Sequence, residues 1–383
     1  MVFDLPAIRA ELPLLGSQAY LNTGGTGPLP IPVARAIQSA TEAQLGMARM
    51  GPEGVELTER TLERLRAATG AVIGGDADDM AITANTTTGL DIVVWGIDWR
   101  PGDHIITTEL EHPGLSVPIA VAARRHGLTV TRLSRPEAEL ELEDAIRRYA
   151  TSRTRLIALS HVAWSSGVVL DVGGAARAAR RVGALVVIDG AQSVGAIPVD
   201  APALGIDAYA FPAQKWLLGP EGLGALWISA DARKRVDLTF CAYEAGTDHQ
   251  VDGRVRIHPA ARRYEISTAP LLLCHGWLAG LTWLSRVGWD EIYARTRANQ
   301  QAAWKALSAV EGLELITPGE PQAGLVVFGT FGRTPEDAFA RVLHAGACVR
   351  WLVIPPALRA SLAFFANESD IDVLLAGVHG LRP

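Results

Sequence analysis

The stretch "ALVVIDG" (residues 184–190) decides the fold class, because five apolar residues in a row end in an acid and a glycine. A short, continuous apolar run of this kind is typical of a strand that is buried on both faces of a sheet. Six further runs of similar type lie between about residues 78 and 230, and helical patterns separate most of them. This alternation predicts an α/β fold with a mostly parallel sheet covered by helices.

The rest of the chain predicts a second, smaller domain. After about residue 255 the pattern becomes helix-rich, with strand-like stretches at 324–331 and 347–354. We expect an N-terminal segment (1–20) that packs on the small domain, a large domain (21–255), and a small α+β domain (256–383).

Two further stretches carry expectations of their own. Residues 242–262 are polar without a clear period, which predicts a long functional loop that could close over a site. Residues 268–284 form the longest apolar run, which is shorter than the roughly 20 residues that a membrane span needs. We expect a buried helix there.

Composition excludes several classes of function. Hydrophobic residues make up 49% and charged residues 20% of the 383 residues, which is ordinary for a globular protein. The net charge of -6 provides no basic surface for nucleic acid or an anionic membrane. The three cysteines lie far apart, so we predict no disulfide framework and no metal site. No signal peptide is visible, and we expect a cytoplasmic protein.

Lysine is unusually rare, since only Lys215, Lys234 and Lys305 occur among 35 basic residues. Lys234 lies in a charge run and Lys305 in an amphipathic helical pattern, whereas Lys215 lies in the apolar stretch "AYAFPAQKWLLGP". Arginine stays protonated and cannot form an imine, so a lysine kept in this context indicates amine chemistry. The alternative is a structural lysine that extends beside Trp216 towards solvent.

The residues that follow the strands belong to one edge of the predicted sheet, where α/β proteins bind ligands. "NTTTG" (85–89) opens a helix and could hold a phosphate, and His112 could stack on a planar ring. Asp189 ends a buried strand and needs a cationic or hydrogen-bonding partner. With Lys215, these features meet the requirements of pyridoxal 5′-phosphate (PLP), whose presence we predict.

The ordered motifs "NTTTG", "EHPG", "SHVAWSSG", "DGAQS", "QKW" and "GPEGLG" resemble those of the class V aminotransferases. This family of PLP enzymes includes cysteine desulfurases, isopenicillin N epimerases and C–S lyases. With "LNTGGTGPLP" and "PQAGLV", the resemblance extends over nearly the whole chain and is nearest to the L-cysteine/cystine C–S lyases. It implies an aspartate aminotransferase-like fold and a homodimer with shared active sites.

The resemblance also implies a role for individual residues. Lys215 would bind PLP as a Schiff base and move the Cα proton, Asp189 would pair with the pyridine nitrogen, and His112 would stack on the ring. Further cofactor contacts would come from Thr87, Thr88, Gln192, Gln214 and, in the partner subunit's site, Thr268. Substrate contacts would come from Arg359, Asn22 and Trp164. Arg359 would hold the substrate carboxylate, which a planar guanidinium suits.

The chain departs from the family pattern at two positions. Gln214 stands where relatives usually have a histidine that contacts the phosphate, so phosphate binding is arranged without that charge. Ser165 stands where the lyases have asparagine near the substrate, which leaves substrate preference open.

The cysteines bear on the type of reaction. A desulfurase needs a nucleophilic cysteine on a mobile loop. Cys348 instead lies in the strand-like "GACVRWLVI", and no motif supports Cys241, which adjoins the long loop. The sequence therefore disfavours a persulfide relay.

These features predict a PLP-dependent lyase that eliminates the β-sulfur of cystine or of an S-substituted cysteine. The products would be pyruvate, ammonia and a sulfide or persulfide. Transamination or epimerisation at Cα of another amino acid are the alternatives on the same scaffold, and a non-catalytic binding protein is a remote one. A nucleotide-binding Rossmann enzyme is disfavoured, because no G-x-G-x-x-G follows a strand.

Overall fold

The computed structural model describes residues 3–250, 252–319 and 322–382. The α-helices of this part of the chain are α1 (Leu5–Ala10), α2 (Ile31–Leu45), α3 (Pro52–Val72), α4 (Thr86–Gly96), α5 (Pro113–His126), α6 (Arg135–Leu140), α7 (Leu142–Tyr149), α8 (Val172–Arg180), α9 (Ala201–Leu204), α10 (Leu271–Val287), α11 (Trp289–Ser308), α12 (Pro335–His344) and α13 (Glu368–His379). The strands are β1 (Ala19–Tyr20), β2 (Met80–Thr83), β3 (His104–Thr108), β4 (Thr129–Leu133), β5 (Thr154–Ser160), β6 (Leu185–Asp189), β7 (Ala208–Pro212), β8 (Gly224–Ile228), β9 (Gly246–His249), β10 (Val255–Ile257), β11 (Leu325–Phe328), β12 (Ala347–Cys348), β13 (Arg350–Leu352) and β14 (Ala357–Ser361).

A seven-stranded sheet with the order β2-β8-β7-β6-β5-β3-β4 forms the centre of the molecule. Strand β8 runs antiparallel to β2 and β7, and the remaining neighbours are parallel. Along β6, Val186 and Ile188 join one hydrophobic cluster, whereas Leu185 and Val187 join another. Because both faces of the strand are covered, its sequence is continuously apolar rather than alternating.

A second, three-stranded antiparallel sheet has the order β11-β14-β13. Helices α11, α12 and α13 share a separate hydrophobic cluster with it. Strand β1 pairs in parallel with β12, and Leu21 then bridges two strands: its N–H donates to Cys348 O at 2.8 Å and its carbonyl accepts from Ser361 N at 2.7 Å. These contacts attach the N-terminal segment to the elements around β14.

The long apolar run forms helix α10, as predicted from residues 268–284. Cys274 and Trp277 on this helix are buried in the cluster that covers one face of the large sheet. Helix α10 packs on α2 and α3, which belong to the predicted large domain, although α10 itself lies beyond the boundary expected at residue 255. The division of the chain into three parts remains a prediction. Within the described residues, no helix is both long and apolar enough to cross a bilayer.

Residues 242–262 contain more regular structure than the sequence indicated. Strands β9 and β10 form a short antiparallel hairpin, and Gly253 in its turn adopts φ 86°, where glycine has no steric penalty. All three residues of β10 are exposed. Since neither face is buried, the sequence has no alternating pattern that would reveal the strand. Val251 lies outside the described residues.

Candidate active site

A small cavity lies at the carboxyl edge of the large sheet. Its walls are formed by His112, Ser160, Val162, Trp164, Asp189, Ala191, Gln192 and Lys215. Ser160 and Asp189 are the last residues of β5 and β6, and they stand opposite each other in the register of the two strands. The fold thus brings together five residues that the sequence placed at a common site, from positions as far apart as 112 and 215.

Lys215 is the amine of this cavity. Burial lowers the pKa of its ammonium group to about 8, the negative charge of Asp189 opposes the shift, and Arg359 adds to it. No ion pair within the described residues involves Lys215. An amine with a lowered pKa is more often neutral near pH 7, and the neutral amine is the nucleophile and the base.

Asp189 is the buried acid of the cavity. Its Oδ1 accepts a hydrogen bond from Ala191 N at 2.8 Å, whereas Oδ2 has no hydrogen-bond partner among the described residues. Burial raises the pKa of the carboxyl, and the charge of Lys215 and the bond from Ala191 counteract part of this shift. A carboxylate in this position can hold a cationic N–H within the cavity.

His112 caps the N-terminus of α5, and its Nδ1 accepts from Gly114 N at 3.0 Å. Because Nδ1 is an acceptor, the proton of the neutral ring is assigned to Nε2. The ring packs edge-on against Trp164, with ring centroids 5.1 Å apart and an interplanar angle of 84°. Burial, followed by Lys215, Arg359 and Arg350, lowers the pKa of His112 to about 4, so the ring is neutral at pH 7.

Gln192 is buried and its amide is held at both ends. Nε2 donates to Gly24 O at 2.8 Å, and Oε1 accepts from Trp216 Nε1 at 2.9 Å. One N–H of the amide remains for another partner. The expected contact of Gln192 with the cofactor stays a prediction, but the orientation of the amide is fixed by the protein.

The N-terminus of α4 lies at the predicted phosphate position. Asn85 caps this helix by accepting from Thr88 N at 2.9 Å, and Thr87 and Thr88 are half-buried in the first turn. A Cβ built on Gly114 would lie 2.6 Å from Thr87 Oγ1, so glycine leaves room beside this hydroxyl. Helix N–H groups and the helix dipole favour an anion at such an end.

Gln214 precedes the lysine, and its Oε1 is buried without a hydrogen-bond partner among the described residues. Its backbone carbonyl accepts from Gly27 N at 2.6 Å, which ties the lysine loop to the segment around Gly24. A buried amide without its hydrogen bonds is costly, so this group indicates a partner beyond the protein chain.

Arg359 lies on β14 and is 3% exposed. Nη1 donates to Trp164 O at 3.1 Å, whereas Nε is buried without a partner, and no ion pair of the described residues includes it. Burial, together with the charge of Arg350, lowers the pKa of the guanidinium to about 9. A buried guanidinium without a carboxylate is unfavourable, and an anionic ligand would remove the penalty.

Arg350 is a candidate site residue that sequence reasoning missed. It stands directly opposite Arg359 in the register of β13 and β14, and its charge affects the pKa of both Arg359 and His112. The stretches "CVRWL" and "ALRAS" flank a Pro-Pro turn. Treating them as a hairpin would have paired the two arginines.

Six predicted residues lie outside the cavity wall: Asn22, Thr87, Thr88, Gln214, Thr268 and Arg359. Asn22 forms a bridge with Ser361, two residues beyond Arg359, and its Oδ1 is buried without a described partner. Thr268 is exposed on the segment before α10. Its predicted contact with the partner subunit's phosphate is not tested by a single chain.

The described residues fit PLP. The cavity joins a lysine with a lowered pKa to a carboxylate with a free oxygen, and His112 stands at its wall beside Trp164. The start of α4 supplies N–H donors for a phosphate, and Nε2 of Gln214 is a further donor, whereas its unsatisfied Oε1 can only accept. These are the groups that an amine-linked, ring-protonated, phosphorylated cofactor needs.

Comparison with known proteins agrees with this geometry. The model of the family "Aminotransferase class-V" matches residues 19–374. The chain belongs to the class V aminotransferase family.

Relatives of this class V protein are named for more than one function. A probable cysteine desulfurase of Methanothermobacter thermautotrophicus is 29% identical over 96% of this chain and 95% of its own length. The isopenicillin N epimerase of Streptomyces clavuligerus is 28% identical over 99% of both chains. The cystine C–S lyase C-DES, solved with its reaction product cysteine persulfide, superimposes with a TM-score of 0.92 at 28% identity, over 97% of this chain and 100% of its own.

These findings confirm three predictions: the family, the aspartate aminotransferase-like fold, and PLP as the cofactor. In a second structure of C-DES, a lysine variant, glycine is covalently linked to the PLP cofactor, and that chain also superimposes with a TM-score of 0.92. The class V protein is accordingly a PLP-dependent enzyme. The roles of its individual residues remain predictions.

Proposed function

We propose that this class V enzyme is a C–S lyase that eliminates the β-sulfur of cystine or of an S-substituted cysteine. Pyruvate, ammonia and a sulfide or persulfide would be released. The observation that carries the substrate class is the buried, unpaired guanidinium of Arg359, with Arg350 opposite it in the same hairpin. Two cations whose charges act on His112 in the cavity wall favour a substrate with more than one carboxylate, such as cystine. The similarity to C-DES supports the same class.

The cysteines support elimination rather than a persulfide relay. No cysteine is among the residues that line the described cavity. Burial raises the pKa of Cys274 to about 12 and also raises the pKa of Cys348, which lies in strand β12. Thiols with raised pKa values form little thiolate, the nucleophilic form. The exposed Cys241 lies outside the cavity wall.

Each residue then has a defined task. Arg359 holds the α-carboxylate through its planar fork, and Arg350 attracts a second carboxylate. Lys215 Nζ takes the proton from Cα, and a lowered pKa allows it to act as a base near neutral pH. Asp189 Oδ2 would hold the proton of the ring nitrogen, and His112, which packs edge-on against Trp164, would contact the ring. When bound, PLP supplies the electron sink for this chemistry.

The sulfur leaves with the electron pair of the broken Cβ–S bond. The remaining three-carbon enamine takes up water and releases ammonia and pyruvate. This sequence consumes one water molecule and needs no external oxidant or reductant. A basic lysine and an electron sink are therefore sufficient, which agrees with a cavity wall without cysteine.

We also propose that the enzyme is a homodimer with shared sites and is located in the cytoplasm. Thr268 is exposed, as is the apolar Ile266 two residues before it, and Phe240 and Ile257 are further exposed apolar side chains. Large exposed apolar groups often mark a surface that a partner covers. Light scattering of the purified enzyme tests the dimer. Shared sites predict that mixing Lys215→Ala and Thr268→Ala chains restores activity in hybrid dimers.

The test of the reaction is to give PLP-loaded enzyme L-cystine and to quantify pyruvate and alanine in the same sample. We expect pyruvate without alanine, and no pyruvate from Lys215→Ala. A Lys234→Ala variant is the matched control, because Lys234 is an exposed lysine paired with Asp231. Alanine as the product would mean sulfur abstraction and would overturn the lyase. If neither pyruvate nor alanine forms, the lyase proposal fails, and epimerisation or transamination of another amino acid becomes the reaction to test.

A further inference from the structure

Glu111 is a buried carboxyl beside the active site that the proposed reaction does not use. Its Oε1 accepts from Thr108 Oγ1 at 2.7 Å, and its Oε2 accepts from Ser160 Oγ at 2.6 Å. The residue is 7% exposed, and none of the ion pairs in the described residues includes it. A buried carboxyl held only by hydroxyl groups is an unusual arrangement, because its charge has no counterion.

The position of Glu111 connects it to the cavity. Ser160, its hydrogen-bond partner, ends β5 and lies in the cavity wall. In the sheet register Ser160 stands opposite Asp189, the acid that ends β6. Thr108, Glu111 and Ser160 thus form a hydrogen-bonded row that leads from the end of β3 to the side of Asp189.

Glu111 and Asp189 influence each other electrostatically. Burial raises the pKa of Glu111 to about 7, the two hydroxyl hydrogen bonds lower it, and the charge of Asp189 raises it further. A carboxyl with this pKa gains or loses its proton near neutral pH. Its loss of a proton places a second negative charge behind Asp189.

Other titratable groups surround this position on the neighbouring elements. They are His112 beside it in the chain, His161 after β5, Asp189 on β6, Tyr209 on β7 and Lys215 after β7. Burial lowers the pKa of both histidines to about 4 and raises that of Tyr209, so all three are neutral near pH 7. The charges that change or persist there are those of Glu111, Asp189 and Lys215. Two permanent positive charges act from the small sheet, Arg359 on Lys215 and His112, and Arg350 on His112.

We propose that Glu111 is a positioning residue that acts on the cofactor through Ser160 and Asp189, and that its protonation state sets the negative charge behind the ring. An ionised Glu111 stabilises protonated groups in the cavity, because opposite charges attract more strongly at low dielectric. The charge therefore favours the proton on the ring nitrogen and on the nitrogen that links the cofactor to Lys215. A protonated Glu111 removes this effect as the pH falls.

The test uses the PLP-loaded enzyme and the visible absorption band of the bound cofactor, titrated from about pH 5 to about pH 10. In Glu111→Gln the side chain keeps its shape and loses its charge. We expect the midpoint of the titration to move to lower pH by roughly half a unit to one unit. The control Glu109→Gln removes the charge of an exposed carboxyl near the same strand end, and we expect no shift.

A second variant covers the case in which Glu111→Gln does not fold or does not retain PLP. Thr108→Val removes one donor to the carboxylate without a change in charge and outside the cavity wall. Glu111 should then ionise at higher pH, and the midpoint should move in the same direction by a smaller amount. A midpoint that equals the wild-type value in the variants that bind PLP would overturn the proposal. The readout needs bound PLP but no C–S cleavage, so its failure is separate from a failure of the proposed lyase.

Discussion

At the scale of single residues, the active site is distinguished by polar groups that lack protein partners. Arg359 Nε, Gln214 Oε1 and Asn22 Oδ1 are buried without hydrogen bonds among the described residues. Buried polar groups in native proteins are nearly always satisfied. The charge of Arg359 acts on Lys215, and Gln214 precedes Lys215 in the chain, so these two groups are candidates to meet the substrate and the cofactor.

Arg359 supports the first residue-scale prediction. Arg359→Lys keeps the positive charge but loses the planar fork and the bond to Trp164 O. We expect kcat/KM with cystine to fall by about 10²-fold, which corresponds to about 2–3 kcal/mol for lost charged hydrogen bonds. Arg341→Lys, at an exposed position on α12 that pairs with Asp337, is the control. Equal kinetics for the two variants would show that Arg359 does not bind the substrate.

Gln214 supports a second prediction, which concerns the cofactor. Gln214→His would introduce a side chain that can carry a positive charge beside the predicted phosphate position. We expect the dissociation constant of PLP to fall about 10-fold, because a charged donor binds a phosphate more strongly than a neutral amide. A Gln214→Leu variant should shift the dissociation constant in the opposite direction. Fluorescence titration of the apoenzyme with PLP measures both, and similar constants for the two variants would remove Gln214 from the phosphate site.

At the scale of elements, a short N-terminal segment connects the pieces of the site. After β1, residues 22–27 contact β14 through Ser361, the amide of Gln192 through Gly24 O, and the lysine loop through Gly27 N. A Cβ on Gly27 would collide with the carbonyl oxygen of Lys215 and with the side chain of Leu218. Glycine permits this close approach of two backbones.

This contact predicts the effect of Gly27→Ala. The added methyl group must displace either the segment or the lysine loop, so we expect a loss of about 1–3 kcal/mol in the free energy of unfolding. Activity should fall by more than the decrease in the folded fraction of the protein explains. Gly46→Ala is the control, since a Cβ there would meet open space at the end of α2. Urea denaturation and steady-state kinetics together measure the two effects.

At the scale of the whole molecule, buried histidines make stability depend on pH. His161 is 6% exposed, its Nδ1 lies 2.7 Å from the hydroxyl of Tyr209, and burial lowers its pKa from 6.5 to about 4. The unfolded chain therefore binds a proton at higher pH than the folded chain does. Stability from this group is complete above about pH 6.5 and is lost as the pH falls towards 4.

We expect His161→Gln to reduce this pH dependence. Between pH 7 and pH 5, the unfolding free energy of the wild type should fall by about 2 kcal/mol more than that of the variant, because only the wild-type unfolded chain gains a proton at His161. The difference in unfolding free energy between the two proteins should narrow by that amount, whatever its value at pH 7. Urea denaturation at both pH values measures the change. Glu111 has a raised pKa and acts with the opposite sign, so the comparison must be made against the wild type rather than as an absolute slope.

Much of the fold follows from local sequence patterns. A strand buried on both faces must be apolar at every position, so "ALVVIDG" and its counterparts revealed the strands of the large sheet before any contact was known. Lys215 and Asp189 were recognisable for a similar reason, because a charged side chain after a buried strand needs a special environment. The hairpin of β9 and β10 escaped prediction because its described residues are exposed or half-buried, so they carry no alternating apolar pattern.

The strands of the large sheet, their order along the chain and the chemical groups at their ends follow from the sequence alone. Contacts between side chains from distant strands follow from the tertiary structure. Arg350 acquires a role because it stands opposite Arg359, and Glu111 because its carboxyl reaches Ser160, 49 residues away. Local propensity depends on neighbours within one or two turns of the chain, whereas these contacts depend on the register and packing of distant strands.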